Sequence, residues 1–449
     1  MKLYTPITGK VERLAHDGSG VISRPEGKPV LVYNTIPGET VKARMFKRSK
    51  EGLRAELEEV VEASNDRIAP RCPYAGTCGG CKWQHAGYDA QLRFKLDILK
   101  TDFAEANVPC PISSVEPAVE QFYYRNRMDF VFGRDGELGL KQPNKWWATL
   151  DLETCFLLSE ESVEVMKRVR EWTRASGLPF WNAKTQQGFF RYLVIREGKR
   201  TGERMVMLVT ASPSPGDGET LINQLPKLLG SLATSVVWGI NPTLTDLSVA
   251  DEIIPLKGDP WIHEDVGGIR YKITPNAFFQ TNSGMAERLQ ATVLRHCEEA
   301  ASRRSNLTVL DLYCGSGFFS LALAKRMPDA KLIGIELSAE AIACAKENAS
   351  ANGVTAEYFA SPAEDFDWKG YAPDVVILDP PRAGLHPSVV ATLLQMQPSC
   401  IVYVSCNYRR FLQEWKELSK VYTLDSAAAL DLFPHTPHME CVFRLTKRP

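Results

Sequence analysis

From residue 308 onward the chain alternates strand, glycine turn, helix and strand, and few folds accept that order. TVLDLY (308–313) is an apolar β-type run that enters CGSG and then the helical stretch FFSLALAKRM. KLIGIEL (331–337) leads in the same way into the helical SAEAIACAKENASANG, and AEYFA, DVVILD and CIVYVS follow as further strands. Continuous apolar runs separated by amphipathic helices predict a parallel sheet covered on both faces. The result is a doubly wound α/β domain over 266–449, whose ligands sit at the carboxyl ends of the strands.

That rim carries the chemistry. Asp311, Gly315 and Gly317 stand where the first strand turns into its helix, and the glycines let backbone approach a ligand closely. Glu336 ends the next strand, where a carboxylate can accept both hydroxyls of a ribose. The third glycine of a dinucleotide fingerprint is absent, because Ser320 holds that position. An adenosine ligand without phosphates, S-adenosylmethionine, therefore fits better than a dinucleotide. The fourth strand ends in D-P-P-R, where two prolines stiffen the turn that holds Asp379. Arg382 occupies the position at which enzymes that methylate exocyclic amines place an aromatic, which disfavours that chemistry.

The fifth strand ends in Ser405-Cys406-Asn407, so a thiol and a carboxylate share one rim. Carbon 5 of a pyrimidine is a poor nucleophile until a thiolate adds at carbon 6 and turns the ring into an enolate. Afterwards a base must remove the carbon-5 proton so that the thiol can leave, which is covalent catalysis in separate, easier steps. Cys406 is the candidate nucleophile. Glu440, in the loop-to-strand passage HTPHMECVFRL, is the candidate base.

Upstream of this domain the chain changes character. Residues 6–62 alternate short β-type runs with Gly, Pro and Asp turns, which predicts a small oligonucleotide-binding-type barrel over 1–62. Residues 1–56 hold eleven Lys/Arg against six Asp/Glu, whereas the whole chain has a formal net charge of −1. A local surplus of that kind is the footprint of a phosphate-binding surface. Residues 63–265 form a mixed region, with a helical stretch at 88–107 and strand-like text from about 120 to 260. It begins with Cys72-x5-Cys78-x2-Cys81, a dense thiol cluster for zinc or iron–sulfur, with Cys155 or Cys110 as a fourth ligand. Eleven cysteines, no apolar leader at the N-terminus and no run of bilayer length predict a cytoplasmic protein without a membrane segment. No obligate protein partner is evident.

Together these motifs resemble the RNA uracil-C5 methyltransferases, most closely the RumA/RlmD type that acts on bacterial 23S ribosomal RNA, and the resemblance runs over nearly the whole chain. GKVERLAHDGSGV with IPGETV looks like the family's RNA-gripping TRAM module, and CPYAGTCGGCKWQH looks like its cluster-binding motif. The resemblance implies a [4Fe–4S] cluster on Cys72, Cys78, Cys81 and Cys155. It implies a Rossmann-like class I methyltransferase domain with Gln280, Tyr313, Glu336 and Asp379 at cofactor or active-site positions. It gives Cys406 as nucleophile and Glu440 as base. Phe318 and Ser361 stand where that type has Asn, within the same cofactor pocket as Gly315 and Gly317. The substrate implied is ribosomal RNA, with the T-loop uridine of tRNA as the alternative. A cytosine-C5 enzyme would show a second Cys after the fourth-strand proline, and D-P-P-R has none. A non-catalytic RNA-binding protein would not need Cys406, Asp379 and Glu440.

Overall fold

A computed structural model describes residues 4–212, 216–301 and 307–449, so the first three residues of the expected 1–62 barrel lie outside it. The described chain packs as two compact units. The first comprises Met1–Pro117, Gln142–Asn144 and Phe433–Met439. Its six-stranded sheet runs, in spatial order, Pro6–Lys10, Thr40–Arg48, Leu53–Glu62, Val30–Val32, Gly20–Ile22 and Arg13–Leu14. The strand Thr40–Arg48 shows why it forms: Val41, Ala43 and Met45 enter the core, while Lys42 and Arg44 face out with the period of two that a half-buried strand requires. The helix Tyr88–Glu105 lies within the expected 88–107. Its Ala90, Phe94 and Ile98 share a core with Leu14, Ile36 and Trp83.

The segment Phe433–Met439 is pinned inside the same unit. The Lys82 and Trp83 amides both donate to the His435 carbonyl, at 2.8 and 3.0 Å. The buried Lys95 ammonium donates to the carbonyls of Phe433 and His438, so its charge is met by backbone dipoles.

The second unit comprises Ala118–Lys141, Lys145–Leu432 and Glu440–Pro449, and its described residues include two large sheets and the two-stranded pair Ile262–Val266 and Ile269–Ile273. A seven-stranded sheet has the order Lys145–Asp151, Leu138–Gln142, Arg127–Phe132, Phe190–Glu197, Arg204–Thr210, Ser235–Ile240, Glu252–Lys257. The other sheet places Glu357–Ala360, Lys331–Glu336, Thr308–Leu312, Val375–Leu378 and Cys400–Ser405 side by side, all parallel. Glu440–Lys447 then inserts antiparallel beside Cys400–Ser405, and Tyr422–Leu430 pairs with it on the far side. Strand order reverses between Thr308–Leu312 and Val375–Leu378. A ligand crevice opens at such a switch point.

Candidate active site and cofactor pocket

At the end of Thr308–Leu312 the chain turns through Tyr313, Gly315 and Gly317, with φ of 67°, 54° and 86°, into the helix Phe318–Arg326. A β-carbon on Gly315 would meet nothing within 4 Å, so open volume lies directly over its backbone. The Gly315 amide donates to Glu336 Oε2 at 3.3 Å, and the Ser338 amide donates to Oε1 at 2.9 Å. The Ser361 amide donates to the Glu336 carbonyl at 2.9 Å, which sets the next strand end beside it. Open volume over a glycine turn, faced by a carboxylate, fits an adenosine ligand.

Tyr313 is held by its hydroxyl, which accepts the His386 amide, and burial pushes it up to about 12. Phe318 is buried among Tyr271, Phe279 and Phe319. Its carbonyl accepts from the Tyr271 hydroxyl and the Gln290 amide. Its ring and its carbonyl thus both serve the core. Gln280 is buried, and its carbonyl accepts from the Asn126 side chain at 2.8 Å.

The reactive rim lies where Cys400–Ser405 ends and Glu440–Lys447 begins. Ser405 pairs with Cys441 in the antiparallel register, so Cys406 and Glu440 lie across from one another. Burial is the main cause that drives the Cys406 thiol up to about 11, and Glu440 and Asp379 add to it. Arg382 acts the other way, through its charge and a side-chain hydrogen bond to the thiol. Glu440 is 3% exposed, and burial followed by the Asp379 carboxyl holds it well above the usual carboxylate range. Asp379 itself is raised to about 7 by burial and by Asp311. Asp311 is likewise raised to about 7, chiefly by burial, although its Oδ2 accepts the Ser320 amide at 3.1 Å. Among the described residues, Glu440 Oε1 and Asp311 Oδ1 are buried without a hydrogen-bond partner. Such orphaned oxygens are expensive unless something binds there.

The rim therefore brings Cys406, Glu440, Asp379 and Arg382 into one electrostatic group. In the sequence, Arg382 only disfavours amine methylation. Its place three residues after Asp379, beyond the two prolines, was the available signal for a cation aimed at the thiol.

The cysteine loop lies in the first unit. The Tyr74 and Ala75 amides donate to the Cys72 thiol, the Gly80 amide donates to Cys78 Sγ at 3.4 Å, and the charge of Cys72 helps to raise Cys78. Amides turned onto sulfur suit thiolate ligands. No three His, Cys, Asp or Glu side chains among the described residues form a metal-holding group, so the expected four-cysteine set is not assembled. Cys155 is buried and belongs to the second unit, while Cys110 belongs to the first.

The profile of the family tRNA (Uracil-5-)-methyltransferase matches residues 357–448, and that of a general methyltransferase domain matches 309–395. A protein of Pyrococcus furiosus named tRNA (uracil(54)-C(5))-methyltransferase is 36% identical over 98% of this chain and 99% of its own. An uncharacterized RNA methyltransferase of Caldanaerobacter subterraneus is 33% identical over 98% of both. The crystal structure of the Pyrococcus abyssi tRNA (uracil-54, C5)-methyltransferase with S-adenosyl-L-homocysteine superposes with a TM-score of 0.79 at 33% identity. It covers 98% of this chain and 100% of that one. With end-to-end identity of this size around an S-adenosylmethionine-dependent fold, the chain belongs to the RNA uracil-C5 methyltransferase family.

Proposed function

We propose that this chain methylates carbon 5 of uridine 54, in the T-loop of transfer RNA. The observation that carries this reading is the match, over 98% of the chain, to an enzyme named for that nucleotide. The expectation of 23S ribosomal RNA gives way on the same ground, since the two Pyrococcus relatives described above are named for tRNA.

S-adenosylmethionine, when bound, supplies an electrophilic methyl group; Glu336, Ser361 and the Gly315–Gly317 turn are the residues to hold it. Uridine must be flipped out of its stack to reach the rim. The Cys406 thiol releases its proton to solvent as sulfur bonds to carbon 6, and the ring electrons move onto carbon 5 and the carbon-4 oxygen. Carbon 5 then takes the methyl group as its bond to the sulfonium sulfur breaks, and the electron pair stays on that sulfur as a neutral thioether. Glu440 removes the carbon-5 proton, the carbon 5–carbon 6 double bond reforms, and Cys406 leaves as thiolate. One proton is released per methyl transferred. Asp379 faces the ring edge; a carboxylate there accepts from uracil N3–H, whereas cytosine N3 could only accept. Arg382 stabilises the Cys406 thiolate before it adds to carbon 6 and after it is expelled.

Methyl-labelled S-adenosylmethionine offered with a tRNA transcript should label it, and a transcript with cytidine at position 54 should stay unlabelled. Label in 23S ribosomal RNA but not in tRNA would overturn the reading.

The amide-to-sulfur bonds around Cys72 and Cys78 support a [4Fe–4S] cluster on the cysteine loop, with Cys81 as a further ligand. Protein purified without oxygen should then contain iron and inorganic sulfide. Stoichiometric zinc, or no metal, would refute the cluster. The barrel and RNA grip of residues 1–62 belong to the same proposal.

A further inference from the structure

An aromatic pair stands in solvent far along the chain from the catalytic residues. The strand Lys145–Asp151 is the edge of the seven-stranded sheet, and its first three residues, Lys145, Trp146 and Trp147, are all exposed. Trp146 is 54% exposed and Trp147 is 48%. Tryptophan is highly buried on average, so two adjacent exposed indoles on one strand call for a ligand. The rings meet edge to face, 5.8 Å apart at 89°, so neither covers both faces of the other. The Lys184 ammonium lies 4.9 Å from the centre of the Trp147 ring. Its loop is fixed by the Asn182 side chain, which accepts the amides of Lys184 and Thr185. Among the described residues neither Lys145 nor Lys184 has a carboxylate partner, although Lys141 on the neighbouring strand pairs with Asp246.

We propose that Trp146 and Trp147, flanked by Lys145 and Lys184, form a stacking platform for unpaired nucleotides of the RNA substrate. Indole faces accept bases of any sequence, and uncompensated ammonium groups accept the phosphates between them. A purely apolar partner surface would leave both cations unmet, and an acidic surface alone would leave the indoles unused. The inference rests on the chain's acting on RNA, not on which RNA it methylates.

The test uses the full chain and an oligouridylate, with heparin as an anion that carries no bases. In Trp146→Ala/Trp147→Ala, affinity for the oligouridylate should fall roughly tenfold or more, the scale of one or two lost base–aromatic stacks. Heparin and S-adenosylmethionine affinities should not move. With tRNA, KM should rise while the rate at saturation holds. Trp146→Tyr/Trp147→Tyr keeps two aromatic faces and should bind within about twofold of the parent. Unchanged oligouridylate affinity in the Ala variant would overturn the proposal. So would an equal loss in the Tyr variant, or a parallel loss of heparin binding. None of these outcomes depends on position 54, so the choice of tRNA can fail while the platform stands.

Discussion

Cys406 and Glu440 share a rim yet act at opposite ends of the reaction, so substitutions should separate them. Cys406→Ala should neither methylate nor form an adduct, because no bond to carbon 6 can form. Glu440→Gln keeps the shape and removes the base, so the methylated ring should remain tethered to Cys406. The RNA–protein adduct should survive a denaturing gel and carry methyl label. General-base catalysis contributes roughly a hundred- to ten-thousand-fold, so a loss below tenfold would transfer the role from Glu440 to another group. The pH profile follows from the same residues. In the free enzyme the Cys406 thiol is raised to about 11 and Glu440 lies well above its usual range, yet both act deprotonated. The rate constant kcat/KM should therefore rise with pH through and above neutrality. Arg382 favours the charged form of both groups, so removing its charge raises both pKa values. In Arg382→Gln the rising limb should move to higher pH by about one unit or more, the usual effect of a close opposite charge. An unmoved limb would show that the cation does not govern the thiol.

At the scale of elements, a glycine of the cofactor turn and a glycine of the sheet separate binding from folding. Gly315 has a φ of 54° and open space where a β-carbon would stand. Gly315→Ala should cost about 1–2 kcal/mol of left-handed strain, yet fill volume next to the cofactor turn. Calorimetry should show S-adenosylmethionine affinity reduced about tenfold or more, with only a small drop in melting temperature. Gly334 lies inside Lys331–Glu336, where a β-carbon would sit 2.5 Å from Tyr358 Cδ1 and 2.9 Å from Cys314 Sγ. Gly334→Ala should instead destabilise the fold by about 1–3 kcal/mol through overpacking. Equal losses of S-adenosylmethionine affinity in the two folded variants would refute the distinction. The parallel strands were legible because burial on both faces writes them as apolar runs: Cys400–Ser405 coincides with CIVYVS, and Val375–Leu378 falls within DVVILD. The helix Glu160–Ala175 was passed over in a stretch read as strand-rich, although Ser159 caps it by accepting the Ser162 amide. What could not be read was the burial of Glu440. That depends on the long-range register of Ser405 with Cys441, which no local pattern encodes.

For the whole molecule, a formal net charge of −1 gives no general attraction to RNA, so electrostatic affinity must come from local surfaces. The strand Thr40–Arg48 presents Lys42, Arg44 and Lys47 outward. Arg44 is already engaged by Glu58, and the nearby Arg54 by Asp17 and Glu51. Lys42 and Lys47 have no carboxylate partner among the described residues, so they are the cations available for phosphate. Each phosphate contact adds about 0.7–0.9 to the slope of log affinity against log salt, because a condensed counterion is released. Lys42→Ala/Lys47→Ala should therefore lower the slope for a tRNA transcript by about 1.4–1.8. S-adenosylmethionine affinity and the rate at saturating RNA should stay as they were, since neither lysine belongs to the unit that carries Cys406 and Glu440. Arg44→Ala is the control: with its charge already met by Glu58, it should change the slope less than either lysine. If the double variant keeps the parental slope, the basic strand is a solvated face and the RNA is held elsewhere. If slope and saturating rate fall together, the lysines act on the bound complex and not on its formation.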